Sequence, residues 1–272
     1  MKKTMKIFWL VCLVLLACTL VLTSCEKEDD WDDKNDSYDD EENGDEHTHT
    51  FVDGVCECGA TNFSESEGLT YELSEDGNSY VVTGIGSCTD NFVVIPSTYN
   101  DLPVTSIGQY AFEQCTNLTK VVICDNVTRI DAEAFEGCSN LTSAILGKGV
   151  TFIGESAFRE CTSLTSINIP DGVTEIDEYA FCDCTSLTSI SIPNSVTWMG
   201  ERVFLDCSSL TSVTIPDTIP AIYEWTFAWC SSLTTINYTG TTAKWNKTHK
   251  GYEWDRETGN YTVYCSDGTI TK

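Results

Sequence analysis

The chain repeats itself every 23 residues, and that period restricts the fold more than any other feature. Six consecutive units begin at Val104, Val127, Val150, Val173, Val196 and Ile219, and they align without a gap. The third reads VTFIGESAFRECTSLTSINIPDG and the fourth VTEIDEYAFCDCTSLTSISIPNS. Each column of the alignment has a chemical meaning. The ninth position is always Phe (Phe112, Phe135, Phe158, Phe181, Phe204, Phe227). The twelfth is always Cys (Cys115, Cys138, Cys161, Cys184, Cys207, Cys230), and the fifteenth is always Leu, from Leu118 to Leu233. The fourth position is Ile, or Met199 in the fifth unit. One unit cannot bury a ring, a thiol and several aliphatics by itself. Stacked units can, because each covers the apolar edge of the next.

Within a unit, Leu164-Thr-Ser-Ile167-Asn-Ile169 has the form L-x-x-L-x-L. Its alternation predicts a short strand with Ile167 and Ile169 inward and Asn168 outward. Pro170, Pro193 and Pro216 end such strands, since proline cannot continue a ladder on both sides. The Val-Thr-x-Ile start of each unit predicts a second extended piece. The helix formers around Glu178 to Asp183 predict one helical turn. The expected fold is a leucine-rich-repeat solenoid, α/β but strand-dominated, with a parallel sheet and one short helical turn per coil. Coils about 4.8 Å apart make a rod on the order of 30–35 Å long.

These units resemble the BspA-type leucine-rich repeats, through the alternation V-T-x-I-x-x-x-A-F-x-x-C-x-x-L-T-x-I-x-I-P over residues 104–241. Residues 67–103 resemble the opening hairpin and irregular first coil of that family. Residues 242–272 resemble its closing cap, where Trp245, Trp254, Tyr261, Val263 and Tyr264 would cover the open end. The resemblance implies display on a bacterial surface. It also implies adhesion, or binding to host extracellular-matrix or cell-surface proteins.

The chain starts with Lys2, Lys3 and Lys6, then an apolar and small run from Ile7 to Leu22 that is short for a membrane span. It ends Leu22-Thr23-Ser24-Cys25, which resembles a bacterial lipoprotein signal. That resemblance makes residues 1–24 a cleaved signal and Cys25 the lipidated first residue, anchored at the cell surface or outer membrane. An ordinary secretory signal with an incidental cysteine, or a retained anchor, would look similar. Residues 25–66 read as an acidic spacer. From Glu26 to Glu46 there are 13 Asp or Glu against Lys27 and Lys34, a net charge of −11. Such a segment has no hydrophobic period and is expected to stay disordered and extended.

The whole chain carries 42 acidic and 15 basic residues, a net charge of −27. A nucleic-acid partner is excluded on that ground, because polyphosphates need clustered Lys and Arg. Three histidines, His47, His49 and His249, lie outside the repeats, and no nucleophile is paired with a base. No catalytic residues and no cofactor are expected. His47, His49, Cys56 and Cys58 could close a tetrahedral zinc site, although Cys-x-Cys is a strained spacing for one ion. A simple turn around Gly54 and Gly59 is the alternative. The cysteine column is expected to hold mostly free thiols, because side chains at equivalent positions point in parallel.

Two surfaces are candidates for binding. The outward strand positions, among them Ser143, Ser166, Ser189, Ser212 and Asn168, are small and hydroxylated and suit only a weak flat contact. Aromatic residues in variable columns (Phe152, Tyr179, Trp198, Trp225 and Trp229) are not required by the repeat and would suit a protein or a glycan. For Tyr223, Trp225 and Trp229, packing beneath the C-terminal cap is the favoured expectation. Adhesion through protein contacts is the leading reading. Glycan capture is the alternative, and a metal-dependent enzyme built on the Cys/His cluster is third.

Overall fold

The computed structural model describes residues 64–272, and describes Phe51–Val52 and Val55–Cys56 for their backbone pairing alone. Cys25, the acidic segment and the signal-like start lie outside the described residues. The repeats wind into a strand-dominated solenoid. Two rows of parallel strands run along it, and strands pair with their equivalents in the neighbouring coil except between Ser166–Asn168 and Ser189–Ser191 and between Trp198–Met199 and Ala221–Ile222. In the longer-stranded ladder Ser143 pairs with Ser166 and with Lys120, and Ser189 with Ser212. In the other, Phe152 lies between Arg129 and Glu175, and Glu175 beside Trp198. Every one of these offsets is a single repeat, so one apolar pattern is laid on top of itself coil after coil.

The inward strand positions are apolar, as the alternation requires. Ile167 and Ile169 are buried and Asn168 is exposed. The six phenylalanines are fully buried and form one stack. Consecutive ring centroids are 5.0 to 5.6 Å apart and the rings lie within 2 to 7° of parallel. The thiols of Cys138, Cys161, Cys184, Cys207 and Cys230 each donate to the carbonyl of a phenylalanine in the preceding coil, over 3.0 to 3.3 Å. The ten cysteines of residues 64–272 are free thiols. Threonine hydroxyls add a further axial ladder on the surface. Thr165 donates to the Thr142 carbonyl and Thr188 to that of Thr165, and the Thr151 and Thr174 hydroxyls do the same on the other side.

The expected helical turn per coil is not formed. The third side of each coil is a chain of tight turns, and the only α-helix among the described residues is Thr242–Lys247. The reason lies in where the backbone N–H groups go. The Phe158 N–H donates to the Ala180 carbonyl of the next coil, Arg159 donates locally to Ser156, and Glu160 again donates to the next coil at Cys182. A helix would use every N–H within its own segment. Here every second one is turned outward to hold the neighbour. The reversal of successive peptide planes places two residues per coil in the left-handed region. Examples are Ser156 and Glu160 at φ 55° and 58°, and Trp225 and Trp229 at 58° each.

Both ends are covered. A hairpin of Thr70–Leu73 against Tyr80–Gly84 joins the N-terminal side of the ladder at Leu102–Ile107. Tyr71 stacks on Tyr99 there at 3.9 Å, with Tyr80 edge-on. At the other end the helix begins at Thr241, whose hydroxyl caps the Lys244 N–H. Trp245, Tyr261 and Val263 are buried beneath it, and Trp254 meets the last stacked ring, Phe227, edge-on. Tyr264 does not join this cap. It follows Val263 in the strand, so its ring turns to the opposite face and remains about half exposed.

Candidate functional site

The solenoid presents three faces, and each arises from which columns the backbone leaves outward. The longer-stranded face carries Ser143, Ser166, Ser189 and Ser212 in register, with Asn168, Ser191 and Thr214 beside them. They line a shallow groove of about 450 Å³. It offers hydroxyls and no aromatic or arginine anchor, so it lacks the groups that dominate tight protein contacts.

On the second face, Phe152 and Trp198 stand two coils apart with Glu175 between them. Phe152 is half-buried under the Arg129 guanidinium, 4.2 Å from the ring centroid, and Arg129 is held by Asp131 at 3.1 Å. Trp198 is 36% exposed. The structure therefore does not bring these two rings into one patch.

The turn ridge is the third face, and here the remaining aromatics gather. Trp225 and Trp229 occupy the two left-handed positions of the last repeat. The indoles stack at 5.4 Å, and Tyr252 meets Trp225 edge-on at 6.1 Å. The Arg256 guanidinium lies 5.6 and 5.7 Å from the two indoles, and Glu253 fixes it at 2.8 Å. One and two coils back, Arg202 covers Tyr179 at 5.4 Å. Trp229 is 39% exposed and Tyr252 64%. Both indoles thus touch the closing segment, through Tyr252 and Arg256, while Trp245, Trp254 and Tyr261 cover the open end of the core. Tyr252 and Arg256 are additions that the repeat alone could not reveal, since the closing segment leaves the 23-residue period.

Carboxylates surround this ridge. Desolvation and the neighbouring Glu133 carboxyl push Glu136 up to about 7, against the pull of Arg159. Glu178 is raised by desolvation and then by Glu201, Asp177 and Glu155. Burial also pushes up the core thiols, Cys138 to about 12. Among the described residues, no group of three or more His, Cys, Asp or Glu is placed to hold a metal ion. His47, His49 and Cys58 lie outside the described residues. Of Cys56 only the backbone is described, in a strand pairing with Phe51.

Residues 105–234 match the BspA type leucine rich repeat region family in six copies. Residues 105–234 are six BspA-type leucine-rich repeats. The fold is similar to that of TpLRR, a leucine-rich repeat protein of T. pallidum, at 29% identity and a TM-score of 0.61 over 64% of this chain and 85% of that one. It is also similar to a leucine-rich repeat protein of Bacteroides ovatus, at 32% identity and a TM-score of 0.59. That match takes in 65% of this chain and 47% of the other, so the present chain spans about half of that relative. No curated protein sequence matches it. Among the described residues, no helix is long and apolar enough to cross a membrane.

Proposed function

We propose that this is a lipid-anchored protein of the bacterial cell surface or outer membrane, whose solenoid mediates adhesion or other protein–protein contacts, with host matrix or cell-surface proteins as partners. The observation that carries the reading is the ring cluster of Trp225, Trp229 and Tyr252 on the turn ridge. These rings fill no core column, and Trp, Tyr and Arg are the side chains most often found to dominate protein contacts. Lipidation of Cys25 and an extended acidic spacer would hold the solenoid away from the membrane. Glycan capture is a second reading, supported by the exposed indole of Trp198 beside Glu175.

The test is direct binding of the purified chain, from Cys25 onward, to immobilised matrix proteins, whole host cells and a polysaccharide panel. Saturable binding to a protein, weakened by Trp229→Ala, is the expected result. Discrete hits on polysaccharides alone, weakened by Trp198→Ala, would replace adhesion by glycan capture.

A further inference from the structure

We propose that the turn ridge of the C-terminal coils is a docking site for a lysine- and arginine-rich protein segment. This deepens the protein-binding reading above and rests on it. The argument starts from the charge pattern. The sixth position of four consecutive units is glutamate: Glu155, Glu178, Glu201 and Glu224. The turn hydrogen bonds hold these in register, since Ser156, Tyr179 and Arg202 donate to the carbonyls of Glu178, Glu201 and Glu224. At the eleventh position a second row forms from Glu160, Asp183 and Asp206, whose N–H groups donate in the same way to the next coil. Like charges stacked about 4.8 Å apart repel each other. Stability alone gives no reason to place two such rows side by side.

Beside the rows stand aromatic rings. Tyr179, Arg202 and Trp225 occupy successive coils at the seventh position, Trp229 continues the row of Glu160, Asp183 and Asp206 at the eleventh, and Trp225 stacks on Trp229 and meets Tyr252 edge-on. These rings already hold cations from within the chain, with Arg202 over Tyr179 and Arg256 over both indoles. A further guanidinium or ammonium can therefore approach the exposed faces of Trp229 and Tyr252 in a geometry the protein itself uses. Its own cations are otherwise engaged. Arg159 bridges Glu136 and Glu160, Arg202 pairs with Glu201, and Arg256 with Glu253. Among the described residues Glu155, Glu178, Glu224 and Asp206 form no ion pair. Burial raises Glu178 and Asp206, and neighbouring carboxylates raise them further, Glu201, Asp177 and Glu155 at Glu178, against the pull of Arg202, and Asp183 at Asp206. An incoming basic segment would supply positive charge along the rows and place cations on the rings beside them.

Calorimetric titration of the chain from Cys25 onward tests this, using as probe a short peptide in which Lys and Arg alternate with Ser. Two controls are the same peptide with Glu replacing the basic residues and a neutral oligosaccharide. Binding of the basic peptide is expected, falling steeply with salt. It should weaken about tenfold in Trp225→Ala/Trp229→Ala, the loss of a cation–ring contact at each indole. Glu178→Gln/Glu224→Gln, which keeps side-chain volume, should weaken it comparably, so a fold defect in the indole variant would not mask the result. No binding at low salt, or equal affinity for the parent and both variants, overturns the proposal. So does oligosaccharide binding that is lost with the indoles. Matrix-protein binding that survives both variants would overturn the ridge site while leaving the adhesion reading in place.

Discussion

The phenylalanine stack permits a graded test of how far each coil depends on its neighbours. Phe181 lies between Phe158 at 5.5 Å and Phe204 at 5.6 Å, whereas Phe112 has one stacked partner, Phe135, at 5.0 Å. Truncating a fully buried phenylalanine to alanine costs about 3–5 kcal/mol. Replacement by leucine keeps most of the burial and removes the ring pairs, each worth about 0.5–1.5 kcal/mol. Phe181→Leu therefore loses about 1–3 kcal/mol, and Phe112→Leu about half of that. Leucine is the informative change, because alanine at Phe181 could unfold a chain of ordinary stability altogether. Urea unfolding followed by far-ultraviolet circular dichroism and by tryptophan fluorescence would give both losses. The slopes should stay equal, so that midpoints can be compared. Equal losses at the two positions would refute pairwise stacking as the source of the difference. A loss at Phe181 no larger than that of a surface change would refute the continuous core.

Three further outcomes follow from the same geometry. Native protein treated with iodoacetamide near neutral pH should leave Cys138, Cys161, Cys184, Cys207 and Cys230 unlabelled, because burial raises these thiols and excludes the reagent; fast labelling of Cys184 before unfolding, read by peptide mass, would contradict this. Gln114→Gly, at φ 54°, should stabilise the fold by about 0.5–1 kcal/mol by relieving a left-handed position, and a lower urea midpoint would count against that strain. Glu136 is raised to about 7, so the native state holds this proton more tightly than the unfolded chain; its contribution is full below the ordinary carboxylate range and is lost as pH rises through about 7. Glu136→Gln should therefore gain about 1 kcal/mol over the parent on the alkaline side and little at about pH 4, whereas a pH-independent difference would remove the assignment.

The columns were readable from the sequence because each repeats a single physical demand. A ring at Phe158 and Phe181, a small buried thiol at Cys161 and Cys184, and alternating Ile167 and Ile169 fit only one side of a stacked coil. The turn ridge was not readable in the same way. Helix propensity around Glu178 to Asp183 concerns hydrogen bonds within one segment, whereas the N–H of Phe181 finds its acceptor at Val203, in another coil. The site was half legible for a related reason. Trp225 and Trp229 stood out as variable-column aromatics, and their place on the ridge follows from the left-handed turns. Tyr252 and Arg256 lie where the period has ended, so no column could assign them a neighbour. Tyr264 was misassigned because the count of apolar residues in the closing strand ignores which of them face outward.

The axial hydrogen bonds also give the rod a direction. Thiols and threonine hydroxyls point toward the amino-terminal coil, while the turn N–H groups point toward the carboxy-terminal one. Head and tail are thus chemically unlike and mutually complementary. A chain stripped of its closing segment, the helix Thr242–Lys247 and the hairpin of Thr262–Cys265 with Gly268–Thr271, would expose acceptors and donors that match the bare start of another copy. The terminal segments therefore act as stoppers as much as lids, and without them the same bonds that order one molecule would favour an open filament of many.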